Sequence, residues 1–407
     1  MYYRDFLYFR VMSFSVLLFD DYSFREQLMP LTATRPTGNL RVGIFTIDQK
    51  WQAIFGVDVG YVTKDYLQEK FPLAVRSEGD VLVIDGSILP NAGLIGELGK
   101  LEVGQKLVSA TGEWIAIRLS SVDDFDDGCL ARALAVTSVQ ENQRLIYPED
   151  IYLYNADQIV FDLAYIDSHV SAASDYINHS FVGSAFYIAE SAVLGQCMLD
   201  SSKGPIYIGP DAVLEAGVVV YGPVSIGSGC RIKSGTVLYP NVSIGPYSTV
   251  CGEINNTVIW GNSAKGHLGY LGCAVLGEGC NIGAGSSNSN LRNDWKSVYL
   301  YDYSTKKMRD TRMQKCGLIM GDQVMLGINS KINTGTVIGV GCQIAMSNFI
   351  PKFVRDFSWL TDNGEERYIL DRFLAMMQRK SVLKQELFTE EDEAVFSFLY
   401  QKGTRYN

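Results

Sequence analysis

The sequence predicts an α/β domain, then a left-handed parallel β-helix of hexapeptide repeats, then a C-terminal helical tail. Two observations lead to this fold class. An aliphatic residue recurs at every sixth position in much of the second half, and apolar runs alternate with helical patterns in the first. The predicted boundaries are an N-terminal extension over 1–12, the α/β domain over 13–165, the β-helix over 166–350 and the helical cap over 351–407.

The six-residue repeat is most regular between Ile208 and Val250, where eight successive slots carry an aliphatic residue. A period of six is neither helical nor a plain strand alternation, and it is typical of a solenoid whose units each supply a short strand and a tight corner. We expect these side chains to fill a shared axial core. Further positions in phase are Val182, Ile188, Leu194, Leu276, Ile282, Met320, Leu326, Ile332, Ile338, Ile344 and Ile350.

Small side chains occupy the slot four residues after each aliphatic, because successive corners of such a solenoid stack closely. Three of the eight cysteines, Cys230, Cys280 and Cys342, fall in this slot, and no two cysteines form a CxxC pair. We therefore expect reduced thiols that pack, rather than a disulfide framework or a zinc module.

Composition limits the class of protein. Hydrophobic residues make up 47% of the chain and charged residues 20%, which is ordinary for a globular protein.

The apolar stretch Val11–Phe19 has no small-residue cleavage site and ends in Asp20 and Asp21, so it indicates a buried first strand rather than a signal peptide. No apolar run approaches membrane-spanning length, and a cytoplasmic location is expected. The net charge of −10 disfavours a nucleic-acid partner.

The first domain shows alternating strand and helix patterns. The runs VLLFD, GIFTIDQKWQAIF, VDVGYV, DVLVID, AGLIGELGKL and EWIAIRL indicate strand, helix, strand, strand, helix and strand, which suggests a parallel-type, Rossmann-like sheet. The segment PEDIYLYNADQIVFDLAYI has helical spacing and is expected to lead into the solenoid, so the domain boundary is placed near residue 165.

The loop Pro30–Gly43 follows the first predicted strand, a position that binds phosphates in many open α/β sheets. Arg35 and Arg41 are its candidate phosphate ligands. The domain resembles a reduced sugar-nucleotide nucleotidyltransferase, because Thr34-Arg35 and Arg41 match the basic parts of that family's loop. Its glycines are replaced, with threonine at positions 32 and 34. The resemblance implies an Mg²⁺-dependent site in which Asp85 is the candidate metal ligand, although a strand-terminal Asp is as often a turn former.

The repeat loses its phase between Val250 and Leu276, and the segments GHLGYLG and NIGAG lie there and just beyond. His267 is flanked by glycine, and spacing alone would favour an exposed corner histidine. The two segments closely resemble the acetyltransferase half of the bifunctional glucosamine-1-phosphate acetyltransferase and N-acetylglucosamine-1-phosphate uridyltransferase family, GlmU. This resemblance covers residues from about 206 to 350 and favours a catalytic histidine.

The GlmU resemblance implies roles for individual residues. His267 stands at the catalytic base, and Tyr270, Asn281 and Asn290 stand at the positions that contact the acceptor. Lys233 fits a phosphate-binding position, and either Lys296 or Lys315 fits the family's acceptor-loop lysine. The resemblance also implies acetyl-CoA or another acyl-CoA as cosubstrate, and a homotrimer that binds it between neighbouring subunits. Chemistry agrees, because an unprotonated imidazole can remove a proton from an ammonium acceptor.

The sequence departs from the family pattern in the acceptor pocket. Leu291 replaces a tyrosine, and the second basic phosphate ligand would fall at Cys251 or Asn255, neither of which is basic. The loop Ser286–Met320 is longer than in the family and rich in aromatic and basic residues. The acceptor is therefore expected to be a phosphorylated or nucleotide-linked aminosugar that need not be glucosamine 1-phosphate.

The segment after Ile350 abandons the six-residue period and shows helical spacing of methionine and aromatic residues. Such a stripe is typical of a packing face, and we expect these helices to cap the open end of the solenoid.

Three functional hypotheses follow. The first is an acyl-CoA-dependent N-acyltransferase with His267 as general base. The second is sugar-1-phosphate nucleotidyl transfer by the N-terminal domain, and the third is a non-catalytic trimer that binds sugar nucleotides.

Overall fold

The structure is a computed structural model that describes residues 14–20, 25–74, 79–126, 128–166 and 180–404. The predicted N-terminal extension lies outside these residues. The chain divides into two compact units. The first comprises the described parts of Met1–Arg25, Arg35–Leu40 and Phe45–Ile146, and the second those of Glu26–Thr34, Arg41–Ile44 and Tyr147–Asn407.

A six-stranded sheet forms the first unit, with strand order β2-β1-β3-β5-β4-β6. The strands are β1 Ser15–Phe19, β2 Val59–Val62, β3 Val81–Asp85, β4 Gln105–Val108, β5 Trp114–Leu119 and β6 Leu134–Thr137. Its helices are α1 Ile47–Phe55, α2 Asp65–Gln68, α3 Ala92–Leu98 and α4 Cys129–Arg132, with short 3-10 helices at Thr37–Asn39 and Val122–Asp124. The central strands are almost wholly buried, as their continuous apolar runs predict.

The sheet is mixed, so the expectation of a parallel sheet is wrong for one strand. β1 pairs in parallel with β2 and β3, whereas β5 runs antiparallel to both β3 and β4. The cause is a tight turn between β4 and β5, in which the Ser109 amide donates to the Glu113 carbonyl at 2.7 Å. A connection this short can join only antiparallel neighbours. Sequence reasoning also missed β4 and β6.

The buried carboxylate of Asp20, which directly follows β1, accepts hydrogen bonds from several parts of the first unit. Asp20 is 1% exposed and accepts hydrogen bonds from Arg25 Nη1 at 2.6 Å, from the Thr37 amide at 3.0 Å, and from the hydroxyls of Thr37 at 2.7 Å and Thr63 at 2.8 Å. Arg25 is itself buried and also donates to the Tyr66 hydroxyl. This paired charge therefore ties three separate stretches of the unit together.

Helix α5, Asp150–Asp162, belongs to the second unit and packs on the β-helix. Its Asn155 is fully buried, donates to Asn241 Oδ1 at 3.1 Å and accepts from the Ser243 hydroxyl at 2.8 Å. A 3-10 turn, Leu163–Tyr165, follows it. The sequence placed this helix at the end of the first domain, and the boundary near residue 165 stays a prediction.

A parallel β-helix with three strand faces forms most of the second unit. Val213 pairs with Arg231 and Arg231 with Thr249, so a regular coil takes 18 residues, or three hexapeptides. The strands are β7 Ser180–Val182, β8 Phe186–Ile188, β9 Val193–Leu194, β10 Met198–Asp200, β11 Ile206–Ile208, β12 Val213–Leu214, β13 Val219–Tyr221, β14 Val224–Ile226, β15 Arg231–Ile232, β16 Val237–Leu238, β17 Val242–Ile244, β18 Thr249–Val250, β19 Glu253–Ile259, β20 Ala264–Lys265, β21 Tyr270–Leu276, β22 Asn281–Ile282, β23 Ser287–Asn288, β24 Tyr299–Asp302, β25 Lys307–Asp310, β26 Leu318–Met320, β27 Met325–Leu326, β28 Lys331–Ile332, β29 Thr336–Ile338, β30 Gln343–Ala345, β31 Phe349–Ile350, β32 Phe353–Val354, β33 Ser358–Thr361 and β34 Gly364–Arg367.

The in-phase aliphatic residues fill the axial core from Ile188 onward, as predicted. All eight aliphatic residues between Ile208 and Val250 are at most 1% exposed. Val182 is an exception with 42% exposure, because its neighbour Phe181 turns toward the core in the first described coil. The six-residue rule therefore begins one hexapeptide later than expected, at Ile188.

The cysteines are packing residues. All eight are buried and free of disulfides, which confirms the prediction. Cys230 Sγ donates to the Gly245 carbonyl at 3.1 Å, and Cys280 Sγ donates to the Gly321 carbonyl at 3.2 Å. Burial raises the pKa of Cys230 to about 11 and that of Cys280 to about 12, so both remain protonated thiols at neutral pH.

A hairpin and two helices complete the second unit. β34 runs antiparallel to β33, and helices α6, Leu370–Lys384, and α7, Glu390–Thr404, follow it. Within the predicted methionine and aromatic stripe, Phe373 and Met377 are buried, and the Phe373 ring lies 5.3 Å from that of Phe357. Among the described residues, no helix is both long and apolar enough to span a bilayer.

Candidate functional site

The coil that leads to the GHLG segment is shorter than its neighbours. Val250 pairs with Lys265, a spacing of 15 residues in place of 18, which accounts for the loss of phase in the sequence. The register puts Lys265 in the column that Ile232 and Val250 occupy in the preceding coils. Lys265 is 1% exposed, so an ammonium group stands where the repeat otherwise places an aliphatic side chain. Sequence reasoning missed this residue, because the six-residue count fails one coil before it.

The backbone of the GHLG segment, residues 266–269, is fixed by hydrogen bonds from coils on both sides. Four successive carbonyls all accept hydrogen bonds. The donors are Lys233 Nζ to Gly266 at 3.0 Å, Lys265 Nζ to His267 at 2.5 Å, the Gly285 amide to Leu268 at 3.1 Å and the Glu253 amide to Gly269 at 3.2 Å. The imidazole of His267 is exposed, while its own backbone is held in place.

Two glycines allow this segment to lie close to its neighbours. Gly252 has φ +101° and Gly269 has φ +137°, conformations that side chains rarely adopt. A Cβ atom at position 252 would lie 2.5 Å from the Gly269 carbonyl oxygen and 3.3 Å from that of His267. The path of the segment therefore depends on the absence of a side chain at position 252.

Two of the residues predicted to contact the acceptor lie together. Asn290 Nδ2 donates to the Tyr270 hydroxyl at 2.9 Å and to Cys273 Sγ at 3.4 Å. Burial raises the pKa of Tyr270 above its ordinary value, so the hydroxyl stays protonated. Asn281 is exposed on β22, which pairs with β20 through Ala264. The structure thus joins Tyr270 and Asn290 directly and puts Asn281 one coil from the start of the GHLG segment.

The candidate lysines occupy different settings. Lys233 is half-buried and holds the Gly266 carbonyl. Lys315 is exposed, and its backbone forms an antiparallel bridge with Leu291, the residue after Asn290. Lys296 lies in an exposed turn, where its amide donates to Asp294. The inserted loop between these lysines forms the hairpin β24–β25.

In the N-terminal loop, the two candidate arginines belong to different compact units. Arg35 is 7% exposed, and its Nη1 donates to Asn39 Oδ1 at 3.2 Å. Arg41 groups with the β-helix and donates to the Ile44 carbonyl. Thr34, also grouped with the β-helix, donates its hydroxyl hydrogen to Asp322. Phosphate binding by Arg35 and Arg41 stays a prediction.

Asp85, the candidate metal ligand, is fully buried at the end of β3. Its Oδ1 accepts from the Ser87 amide at 2.9 Å and from the Ser87 hydroxyl at 2.6 Å, and its Oδ2 lies 3.0 Å from Arg144 Nη1. Because Mg²⁺ prefers several oxygen ligands, a carboxylate already neutralised by a guanidinium does not fit it well. The described residues include no group of three or more acidic, histidine or cysteine side chains arranged to hold a metal. Metal binding by Asp85 stays a prediction.

Three parts of the chain match models of known protein families. Residues 16–170 match the sugar nucleotidyl transferase family, residues 205–240 match the bacterial transferase hexapeptide, and residues 317–349 match the hexapeptide repeat of succinyl-transferase. The bifunctional protein GlmU of Methanocaldococcus jannaschii is 32% identical over 113 residues, which are 28% of this chain and 27% of that protein. Over this stretch the chain is similar to a bifunctional GlmU protein.

The bifunctional sugar-1-phosphate nucleotidylyltransferase/acetyltransferase of Sulfurisphaera tokodaii is 37% identical over 92 residues, 23% of this chain and 22% of that protein. The chain therefore spans about a quarter of the length of the curated relatives it matches. The solved Francisella novicida UDP-N-acetylglucosamine acyltransferase is 16% identical, with 56% of this chain and 86% of that chain covered and a TM-score of 0.31.

Proposed function

We propose that this chain is an acyl-CoA-dependent N-acyltransferase that acts on a phosphorylated or nucleotide-linked aminosugar, with His267 as the general base. The observation that carries the proposal is the exposed imidazole on a segment whose four carbonyls are all held by hydrogen bonds. The similarity to bifunctional GlmU proteins supports this class of reaction. A base held in one position reduces the entropy that the transition state must lose.

The reaction requires a proton acceptor. An amine acceptor is mostly ammonium at neutral pH, and it must lose a proton to attack the thioester carbonyl. In the proposed step the imidazole takes one proton from the ammonium and passes it to the departing CoA sulfur. The new C–N bond forms, the C–S bond breaks, and the nitrogen releases its second proton to solvent as the amide forms. A backbone amide or an asparagine side chain would stabilise the oxyanion that forms on the carbonyl.

The acceptor pocket is proposed to include Tyr270, Asn281, Asn290 and Lys315. The backbone bridge between Lys315 and Leu291 supports Lys315 as the acceptor-loop lysine, since Leu291 directly follows Asn290. Lys296 has no comparable link to the pocket among the described contacts. Lys233 already donates to the Gly266 carbonyl. A direct role in phosphate binding would require its ammonium group to bond the carbonyl and the phosphate at the same time.

The proposal extends to assembly and location. We propose a cytoplasmic homotrimer that binds acyl-CoA between subunits, on the strength of the resemblance to the GlmU acetyltransferase half. Analytical ultracentrifugation of the purified chain at several concentrations checks the assembly. A monomer at all concentrations would contradict it.

A CoA-release assay tests the proposed function. The purified chain and acetyl-CoA should release free thiol when they are given glucosamine 1-phosphate or a nucleotide-linked aminosugar, and the thiol is measured with a chromogenic disulfide. The N-acetylated form of each sugar is the matched control, because it lacks the nucleophilic amine. Binding of the amine without thiol release would instead indicate a protein that binds sugars without turnover.

Gly252→Ala is expected to reduce acyl transfer at least tenfold, because the new Cβ atom must displace the GHLG segment that carries His267. Gly217→Ala is the matched control. Gly217 has φ +83°, also in the left-handed region, but a Cβ atom there meets nothing closer than 3.9 Å. Both variants bear the backbone strain, and only Gly252→Ala should lose activity in the CoA-release assay. Equal activity in the two variants would contradict the role assigned to the segment.

The N-terminal domain supports a second candidate activity, nucleotidyl transfer from an NTP to a sugar 1-phosphate. The specific observation is the match of residues 16–170 to the sugar nucleotidyl transferase family. Pyrophosphate release should then depend on Arg35 and on Arg41. Lack of NTP binding by isothermal titration calorimetry, in the presence of Mg²⁺, would exclude this activity.

A further inference from the structure

We propose that Lys265 is a positioning residue for His267, and this inference rests on the proposed function. The ammonium group of Lys265 lies inside the β-helix and donates to the carbonyl of His267 itself and to that of Cys251 at 3.3 Å. These two hydrogen bonds connect the backbone of His267 to that of Cys251 on the preceding coil. Lys265 therefore acts through the backbone and contacts no substrate.

Packing does not explain a lysine at this position. The column that contains Lys265 is filled by Ile232 and Val250 in the coils before it, and both are fully buried. An aliphatic side chain would fill the same space without the desolvation of a charge, which is unfavourable for stability. What lysine supplies, and an aliphatic residue cannot, is a charge-assisted hydrogen bond to the His267 carbonyl.

The charged groups around Lys265 set its pH response. Desolvation lowers the pKa of Lys265 to about 8, and the thiol of Cys251 on the preceding coil opposes this shift. The other ammonium in the cluster is that of Lys233, which holds the adjacent carbonyl of Gly266. Below pH 8 Lys265 is a cationic donor, and above it Lys265 loses its charge and its bond to His267 weakens.

Lys265→Met separates positioning from stability, because methionine fills the slot and cannot donate. We expect kcat/KM for acyl transfer to fall about 10- to 100-fold, since small displacements of a catalytic group have effects of this size. We also expect the melting temperature at neutral pH to stay equal or rise. If Lys265 had only a structural role, Lys265→Met would instead lower the melting temperature, and activity would fall only in proportion to the unfolded fraction.

The pH dependence gives two further readouts. Wild-type kcat should decline above about pH 8, and the Lys265→Met variant should lack that decline. The stability of the fold is expected to change with pH in the direction opposite to kcat. The folded chain releases this proton near pH 8 and the unfolded chain near 10.5, so wild-type stability relative to Lys265→Met should rise as the pH rises from 8 to 10.5.

Lys331→Met is the matched control. Lys331 also donates to a backbone carbonyl of the next coil, that of Ser347 at 2.9 Å, but it is exposed and has no bond to the GHLG segment. It should keep wild-type activity and the decline above pH 8. Equal losses in Lys331→Met and Lys265→Met would overturn the proposal, and so would full activity in Lys265→Met.

A measurement that needs no turnover distinguishes failure of this proposal from failure of the proposed function. The ¹³C–¹H signal of the His267 imidazole, assigned with His267→Ala, should be single and sharp in the wild type and in Lys331→Met. It should shift or broaden in Lys265→Met. Absence of acyl transfer by the wild type would reject the function alone, whereas an unchanged His267 signal in Lys265→Met would reject the positioning role.

Discussion

His267→Ala is expected to lower kcat/KM for acyl transfer by about 10²- to 10⁴-fold, the usual contribution of a positioned general base. The His267 side chain is exposed, so its removal leaves no buried cavity and the fold should be retained. The CoA-release assay at neutral pH measures the loss, and circular dichroism checks the fold. Added imidazole should restore part of the activity, because it can enter the vacated space and accept the proton.

Two companion variants sharpen this test. His267→Gln retains a polar side chain but offers no base, so it should be about as inactive as the alanine variant. Lys203→Ala changes an exposed residue on an early coil and should behave as the wild type. Wild-type rates in His267→Ala would exclude the general-base role, whatever the other residues do.

Asp20→Ala is expected to destabilise the N-terminal sheet by about 3–5 kcal/mol, the typical effect of removing one partner of a buried ion pair. The change leaves the buried Arg25 guanidinium without the carboxylate that neutralises it, and it also removes the acceptor of Thr37 and Thr63. Hydrogen exchange of the β1 and β3 peptides in the full chain measures the effect. Exchange of β-helix peptides in the same samples is the internal reference.

Asp126→Ala provides the control from the same unit. Asp126 pairs with Arg132 at 2.9 Å, but both side chains are more than half exposed. Solvent screens such a pair, and no measurable change in the exchange of the sheet is expected. If Asp20→Ala and Asp126→Ala changed the hydrogen exchange of the sheet equally, burial of the Asp20–Arg25 pair would not explain its contribution to stability.

The β-helix could be predicted from sequence because one geometric rule acts along most of its length. Each coil must present an aliphatic side chain to the axis at fixed intervals, and Ile208 to Val250 obey this rule without exception. The topology of the N-terminal sheet was harder to predict from sequence. Its runs of apolar residues identify strands but do not give their direction, and the antiparallel β5 depends on a turn of a few residues.

The candidate site was only partly predictable. His267, Tyr270 and Asn290 could be named from short motifs, and the structure joins the last two by a hydrogen bond. Lys265 could not be named in this way, because a coil three residues shorter than the one before it moves Lys265 into the core, and no periodic count anticipates that shift. Partners distant in sequence, such as Lys233 and the Gly266 carbonyl, become apparent only once the coils are stacked.

The strand pair β33–β34 has a consequence for how molecules of this protein meet one another. Every coil before it offers the same parallel edge to the next, a surface on which a second solenoid could dock end to end and grow into a fibre. The reversed direction of β34 presents a mismatched hydrogen-bonding pattern at the end of one of the three strand faces and disfavours continued stacking there. A chain that lacked residues 364–367 would be expected to aggregate lengthwise, in proportion to its concentration.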